Sequence, residues 1–208
     1  MNKKIVLPIA FVIILASAVF VMADNFNIHY KIYSDEGWNI LQGFGAYSLI
    51  SNFVSGDVTN TDVLAVYAYL PDKNKYARVY PNPEIKVDDE ELLNSAFWVY
   101  LKKGGWIEYD VEEEWAHTDN KQLKSGWNFV GITKDIYRLQ VKDWKGTCNI
   151  EKIAGYQRGW DMIDSNIDDL MLADQEQDLG RGMIVKITND CTLKISGGSG
   201  VTPPQIPY

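Results

Sequence analysis

Apolar and polar positions divide the chain into one long apolar run, residues 5–23, and then a series of short alternating segments. "IHYKIY" (28–33), "VLAVYAYL" (63–70), "YARVY" (76–80), "AFWVYL" (96–101) and "WIEYDV" (106–111) are rich in β-branched and aromatic residues, the composition of half-buried strands. In "WIEYDV", Ile107, Tyr109 and Val111 alternate with Glu108 and Asp110, which predicts an edge strand with one dry and one wet face. "LPDKNKY" carries a Pro-Asp turn, and "KKGGW" a Gly-Gly turn expected to join its flanking strands as a hairpin. The second half offers "WNFVGI", "IEKIAGY", "MIVKIT" and "CTLKIS", with "TNDC" as a tight connection. Only "DDEELLNS" (88–95) and "IDDLMLADQEQDLG" (167–180) read as helix. The second has acids near its start and Gly180 at its stop. The fold class expected is all-β with minor helix.

The segments repeat in order, which points to duplication. "GWNIL" at Gly37 answers "GWNFV" at Gly126, an offset of 89. "VYAY" at Val66 answers "IAGY" at Ile153, an offset of 87, and Tyr76 answers Trp160. "AFWVYL" answers "GMIVKI" and "WIEY" answers "TLKI", both at 86. We therefore expect two tandem β-barrel or sandwich-like modules, residues 24–113 and 114–196, packed on each other. One pseudo-symmetric barrel or sandwich built from both halves is the alternative.

Gly-Trp-Asn followed by two apolar residues, then an apolar-Tyr strand and a late aromatic-apolar-Val strand, resembles a module of secreted and surface proteins in bacteria and archaea. The early part matches at Gly37–Ile40 and Gly126–Phe129. The late part is looser, at Ala96-Phe97-Trp98-Val99 and at Gly182-Met183-Ile184-Val185, which lacks both aromatics. The resemblance implies an extracellular β-rich accessory module and no particular reaction.

The run at 5–23 follows Lys3 and Lys4 and ends on Val21-Met22-Ala23, so residues 1–23 read as a signal peptide, with cleavage before Asp24. An uncleaved N-terminal anchor is the alternative, since 19 apolar residues approach the span of a bilayer. Either reading exports the body to the exterior or cell surface, and membrane contact is expected only through this run. The net charge of −8 is uneven: residues 24–113 hold 15 acids against 7 bases, and residues 114–208 hold 13 against 11. Such a surface repels phosphate backbones, which argues against nucleic acid as a partner. The two cysteines, Cys148 and Cys191, favour a disulfide in an exported chain. Residues 197–208, "GGSGVTPPQIPY", are expected to form a flexible tail with too little apolar area to order itself.

Candidate chemistry is sparse. The two histidines, His29 and His117, stand near no nucleophile motif, so no catalytic residue is assigned. Glu108, Asp110 and Glu112 to Glu114 are numerous, but glycoside hydrolysis needs two carboxylates about 5–9 Å apart in a cleft. "DSNIDD" opens like an EF-hand loop, yet Asp169 and Gln175 stand where Gly and Glu are required. A different calcium site from Asp161, Asp164, Asn166 and Asp168 is the alternative to a simple turn and helix start. No phosphate-cradling loop or His-based metal motif occurs, so no cofactor or metal is expected.

Seven Trp and twelve Tyr are the feature that points to binding, because flat aromatic faces stack on sugar rings and fill interfaces. Trp38, Trp127, Trp98 and Trp160 occupy repeat-equivalent or apolar places and are assigned to the core. Trp38 and Trp127 are expected to be buried strand-entry anchors, with Gly37 and Gly126 turning the chain and Asn39 and Asn128 completing the motif. Trp106, Trp115 and Trp144 lack aromatic counterparts and become the candidate ligand-stacking residues. The function expected is an exported, non-enzymatic structural or interaction protein whose partner is a surface glycan or an extracellular protein. A carbohydrate-binding module is the first alternative and a glycan-active hydrolase the second. The oligomeric state is not legible.

Overall fold

The computed structural model describes residues 27–44, 55–85, 94–113 and 116–196. The leader, residues 88–93 of the first expected helix, Trp115 and the tail at 197–208 lie outside them. Among the described residues the elements are β1 (Asn27–Ser34), β2 (Gly37–Gln42), β3 (Ser55–Gly56), β4 (Val63–Leu70), β5 (Lys75–Tyr80), β6 (Ala96–Leu101), β7 (Gly105–Glu112), β8 (Gln122–Leu123), β9 (Gly126–Gly131), α1 (Val141–Trp144), β10 (Ile150–Tyr156), β11 (Trp160–Ile163), β12 (Gly182–Ile187) and β13 (Cys191–Thr192), with short 3-10 turns between them. The fold is all-β, and its four antiparallel sheets fall into two groups.

The duplication is written into the sheet order. The first half forms β2-β6-β4-β5 and the second β9-β12-β10-β11. Equivalent residues also pair in the same register: Asn39 faces Val99 as Asn128 faces Val185, Val66 faces Val99 as Ile153 faces Val185, and Tyr69 faces Tyr76 as Tyr156 faces Trp160. The second sheet of each half diverges. In the first half β1-β7-β3 covers the core, with Tyr30, Ile32, Ile107, Tyr109 and Val111 packed on Leu41, Phe97, Val99 and Val66. Among the described residues of the second half, the corresponding sheet is the two-stranded β8-β13, in which Leu123 opposite Cys191 repeats the pairing of Ser34 with Gly105. Trp144, Val141, Ile136 and Ala173 are buried there with Leu123 and Leu193 in the second core. The Cys148–Cys191 disulfide, with sulfurs 2.09 Å apart, ties β13 to the segment before β10.

Three local expectations are corrected. The Gly-Gly turn closes no hairpin, since β6 pairs with β2 and β4, whereas β7 pairs with β1 and β3. The link crosses between sheets, and a Cβ on Gly104 would stand 3.0 Å from Glu36 N and 3.1 Å from Ser34 O, so glycine serves a close backbone crossing. Strand β7 keeps its expected wet and dry faces but is central, flanked by β1 and β3. Residues 167–180 form two 3-10 turns, Ile167–Asp169 and Glu176–Asp178, in place of a helix. Carbonyls that a helix would use internally are taken elsewhere: Leu170 O accepts from Val141 N and Ala173 O from Arg138 N.

The Gly-Trp-Asn motif is a turn lock. Gly37 and Gly126 have φ of +94° and +99°, with nothing within 4 Å of a Cβ at either position. Backbone conformation, not space, requires glycine there. Asn128 Nδ2 donates to Lys124 O (2.6 Å) and Gly126 O (3.2 Å), and its Oδ1 accepts from Lys124 N (2.9 Å). Asn39 makes the same three bonds with Asp35 and Gly37. Both asparagines are buried, and both tryptophans are not: Trp38 is 40% exposed and Trp127 half-buried. The buried anchor is therefore the asparagine. The tryptophan, one residue earlier in a strand, faces the other side of the sheet.

That other side is where the two halves meet. Ile40, Ala96, Phe129, Ala154 and Ile184 form a separate small core between β2-β6 and β9-β12-β10. A Cβ on Gly182 would overlap Ile40 Cγ2 and Ala96 Cβ, so this glycine lets the sheets touch. Gln42 N donates to Gly180 O (2.8 Å), and the Tyr109 hydroxyl lies 3.0 Å from Gln42 O and 3.1 Å from Gly180 O. Burial, first of all, holds the Tyr109 phenol well above its usual pKa, so the hydroxyl stays protonated and able to donate. Arg158 closes the junction at the surface on Asp35 (2.7 Å).

Candidate functional site: an aromatic cleft between the modules

Strand alternation builds the site. In β6, Phe97, Val99 and Leu101 enter the first core, and Ala96, Trp98 and Tyr100 face the other way. In β4, Val66 and Ala68 are buried while Tyr67 and Tyr69 face the junction. The duplicated sheet does the same with Ala154 and Tyr156 on β10. Small residues at the centre of the junction bring the sheets together. Beside that contact the large side chains line an opening.

The opening is a cleft of about 470 Å³ lined by Trp38, Tyr67, Tyr76, Trp98, Tyr156 and Trp160. The first four come from the first module and the last two from the second. Trp98 is the hub: its ring centroid lies 6.0 Å from Trp38, 4.9 Å from Tyr156 and 5.6 Å from Trp160, each pair edge-on. Edge-on packing suits the ring quadrupoles and leaves faces uncovered, and Trp160 and Tyr76 are each 50% exposed. Among the described residues, no lining side chain carries a charge. Two other hollows differ in this respect, one containing Asp72, Lys73, Lys121 and Lys124, the other His29, Lys31, Lys134 and Glu176.

The candidate stacking trio does not assemble. Trp144 is fully buried in the second core, a correction: it sits at the end of α1 packed among Val141, Ile136 and Leu193, so it can stack on no ligand. Trp106 is 36% exposed on the outer face of β7, edge-on to Tyr33 at 5.6 Å and beneath Lys31 Nζ. Trp115 lies outside the described residues. Trp38, Trp98 and Trp160, assigned to the core from sequence, line the cleft instead. One signal for them was present: "FWVYL" is apolar on both strand faces, so both faces needed a cover.

The other candidate chemistry is engaged elsewhere. Glu108 and Asp110 pair across the sheet with Lys31 (2.6 Å) and His29 (2.8 Å). Asp168, one of the calcium candidates, lies 2.7 Å from Lys145 Nζ, and among the described residues no group of three or more His, Cys, Asp or Glu is placed to hold an ion.

No family model, no curated protein and no solved structure matches this chain.

Proposed function

We propose that this is an exported, non-enzymatic interaction protein of the cell exterior and that it binds its partner in the aromatic cleft between its modules. The observation that carries the reading is the cleft itself: six aromatic side chains from both modules, three of them at least 40% exposed, around one open space. Large aromatic surface left in contact with water is costly unless something covers it. The apolar leader after Lys3 and Lys4 supports export, and the resemblance to a surface-protein module supports an accessory role. No specific observation favours a hydrolase, because on an outer face Glu108 serves a cross-strand ion pair with Lys31 and Asp110 a hydrogen bond with His29.

The test is binding of the labelled protein to intact envelopes of its own cells. Replacement of Trp38 and Trp160 together by alanine is expected to abolish binding, and Trp106→Ala to leave it unchanged. A double variant that bound like the wild type would remove the cleft from the account.

A further inference from the structure

We infer that the ligand of the cleft is an uncharged glycan, its sugar rings stacked on the exposed indoles and its hydroxyls met by the rim of the same aromatic residues. This rests on the cleft being the binding site. The lining is amphipathic in a particular way. Three indoles and three phenols supply flat apolar faces, and each carries a polar atom at its edge. Among the described residues, none of the six uses that polar atom in a hydrogen bond within the protein. Tyr69, just outside the cleft, shows the contrast, since its hydroxyl is spent on Asn74 Oδ1 at 2.7 Å.

A ligand that covers this surface must therefore bring apolar faces and hydrogen-bonding edges together. An aliphatic chain covers the faces and strands the donors, which costs free energy for every polar group left dry. An anionic glycan finds no cation among the described residues of the lining and meets a chain of net charge −8. A proline-rich peptide offers carbonyl acceptors to the indoles, but proline has no N–H to donate to the phenol oxygens. A pyranose presents a C–H face, and hydroxyls that both donate and accept. The volume of about 470 Å³ is that of a small-molecule site rather than a broad protein interface.

The test titrates the whole protein by intrinsic tryptophan fluorescence against neutral oligosaccharides, anionic oligosaccharides, and a peptide of residues 201–208, "VTPPQIPY". Neutral oligosaccharides are expected to bind. Trp160→Ala is expected to weaken them about tenfold, and Tyr156→Phe, which keeps the ring and loses the hydroxyl, about fivefold. Trp106→Ala, on the outer face of β7, should change nothing. Unaltered melting temperatures show that the variants fold. Neutral-glycan binding that ignored the cleft substitutions would overturn the inference. So would cleft-dependent binding of only the anionic glycans or only the peptide, although the cleft would then stand as the binding site. If no probe bound and envelope binding also survived the double substitution of Trp38 and Trp160, both readings would fall.

Discussion

Asn128→Ala isolates the claim that the asparagine, not the tryptophan, locks the repeated motif. The side chain is 3% exposed and makes three hydrogen bonds to the backbone at Lys124 and Gly126, of 2.6, 2.9 and 3.2 Å. At about 1 kcal/mol net per bond, with water partly replacing the longest, the loss is about 2–3 kcal/mol. In a chain of this size that lowers the melting temperature by roughly 4–12 °C. Asn39→Ala should behave alike and somewhat more weakly, since its shortest bond is 2.9 Å. Asn128→Asp keeps an acceptor for Lys124 N but turns a carboxylate toward two carbonyl oxygens, so it should rescue nothing. Gly126→Ala is the control for backbone strain. No atom lies within 4 Å of the new methyl, so any cost, about 1–3 kcal/mol, comes from the positive φ alone. The assay is urea and thermal unfolding followed by circular dichroism with the disulfide intact. An Asn128→Ala protein with a urea midpoint equal to wild type and a melting temperature within about 1 °C would refute the lock.

Further outcomes follow from the same geometry. Reducing Cys148–Cys191, which closes a separation of 43 residues, should cost about 4 kcal/mol in the chain-entropy picture; free thiols in the unreduced protein, read by mass after alkylation, would contradict the pairing. Gly182→Ala should cost about 1–3 kcal/mol by overpacking Ile40 and Ala96, and it should shift cleft tryptophan emission as the modules part; an unchanged spectrum and melt would count against direct sheet contact. Stability should fall in acid. Asp62 is drawn down to about 2 by the Thr59 N–H and hydroxyl and then by Lys103. Burial pulls Asp119 upward, but the Ile195 N–H and Lys194 outweigh it and leave it lowered, and the Ser125 N–H lowers Asp190. These folded values lie below the unfolded value of about 3.9. The stabilisation is thus complete above about pH 4 and is lost as pH falls toward about 2; a urea midpoint that held steady from pH 5 to pH 2 would contradict this.

Strand positions, the duplication and the disulfide were legible in the sequence because each rests on local or one-dimensional information. Runs of β-branched and aromatic residues mark β4, β6 and β7 whatever they pack on, and period-two alternation gives the two faces of β7. An ordered series of offsets marks the repeat, and two cysteines have one intramolecular pairing to make. Residues 167–180 were misread as helix for the complementary reason. Their local signals favour a helix, but Val141 and Arg138, distant in sequence, claim the carbonyls a helix would need.

Beyond the two apolar faces of "FWVYL", the site was decided by tertiary structure. A strand pattern says that Trp98 and Val99 face opposite ways, not which face meets a core and which meets a second sheet. Repetition made Trp38 and Trp160 look structural, and unmatched positions made Trp144 and Trp106 look functional. Packing reversed three of these four assignments: Trp144 is buried in the second core, while Trp38 and Trp160 stand where the two modules splay apart. Burial is a property of what lies opposite a side chain, and the sequence of one strand does not contain its neighbour across the junction.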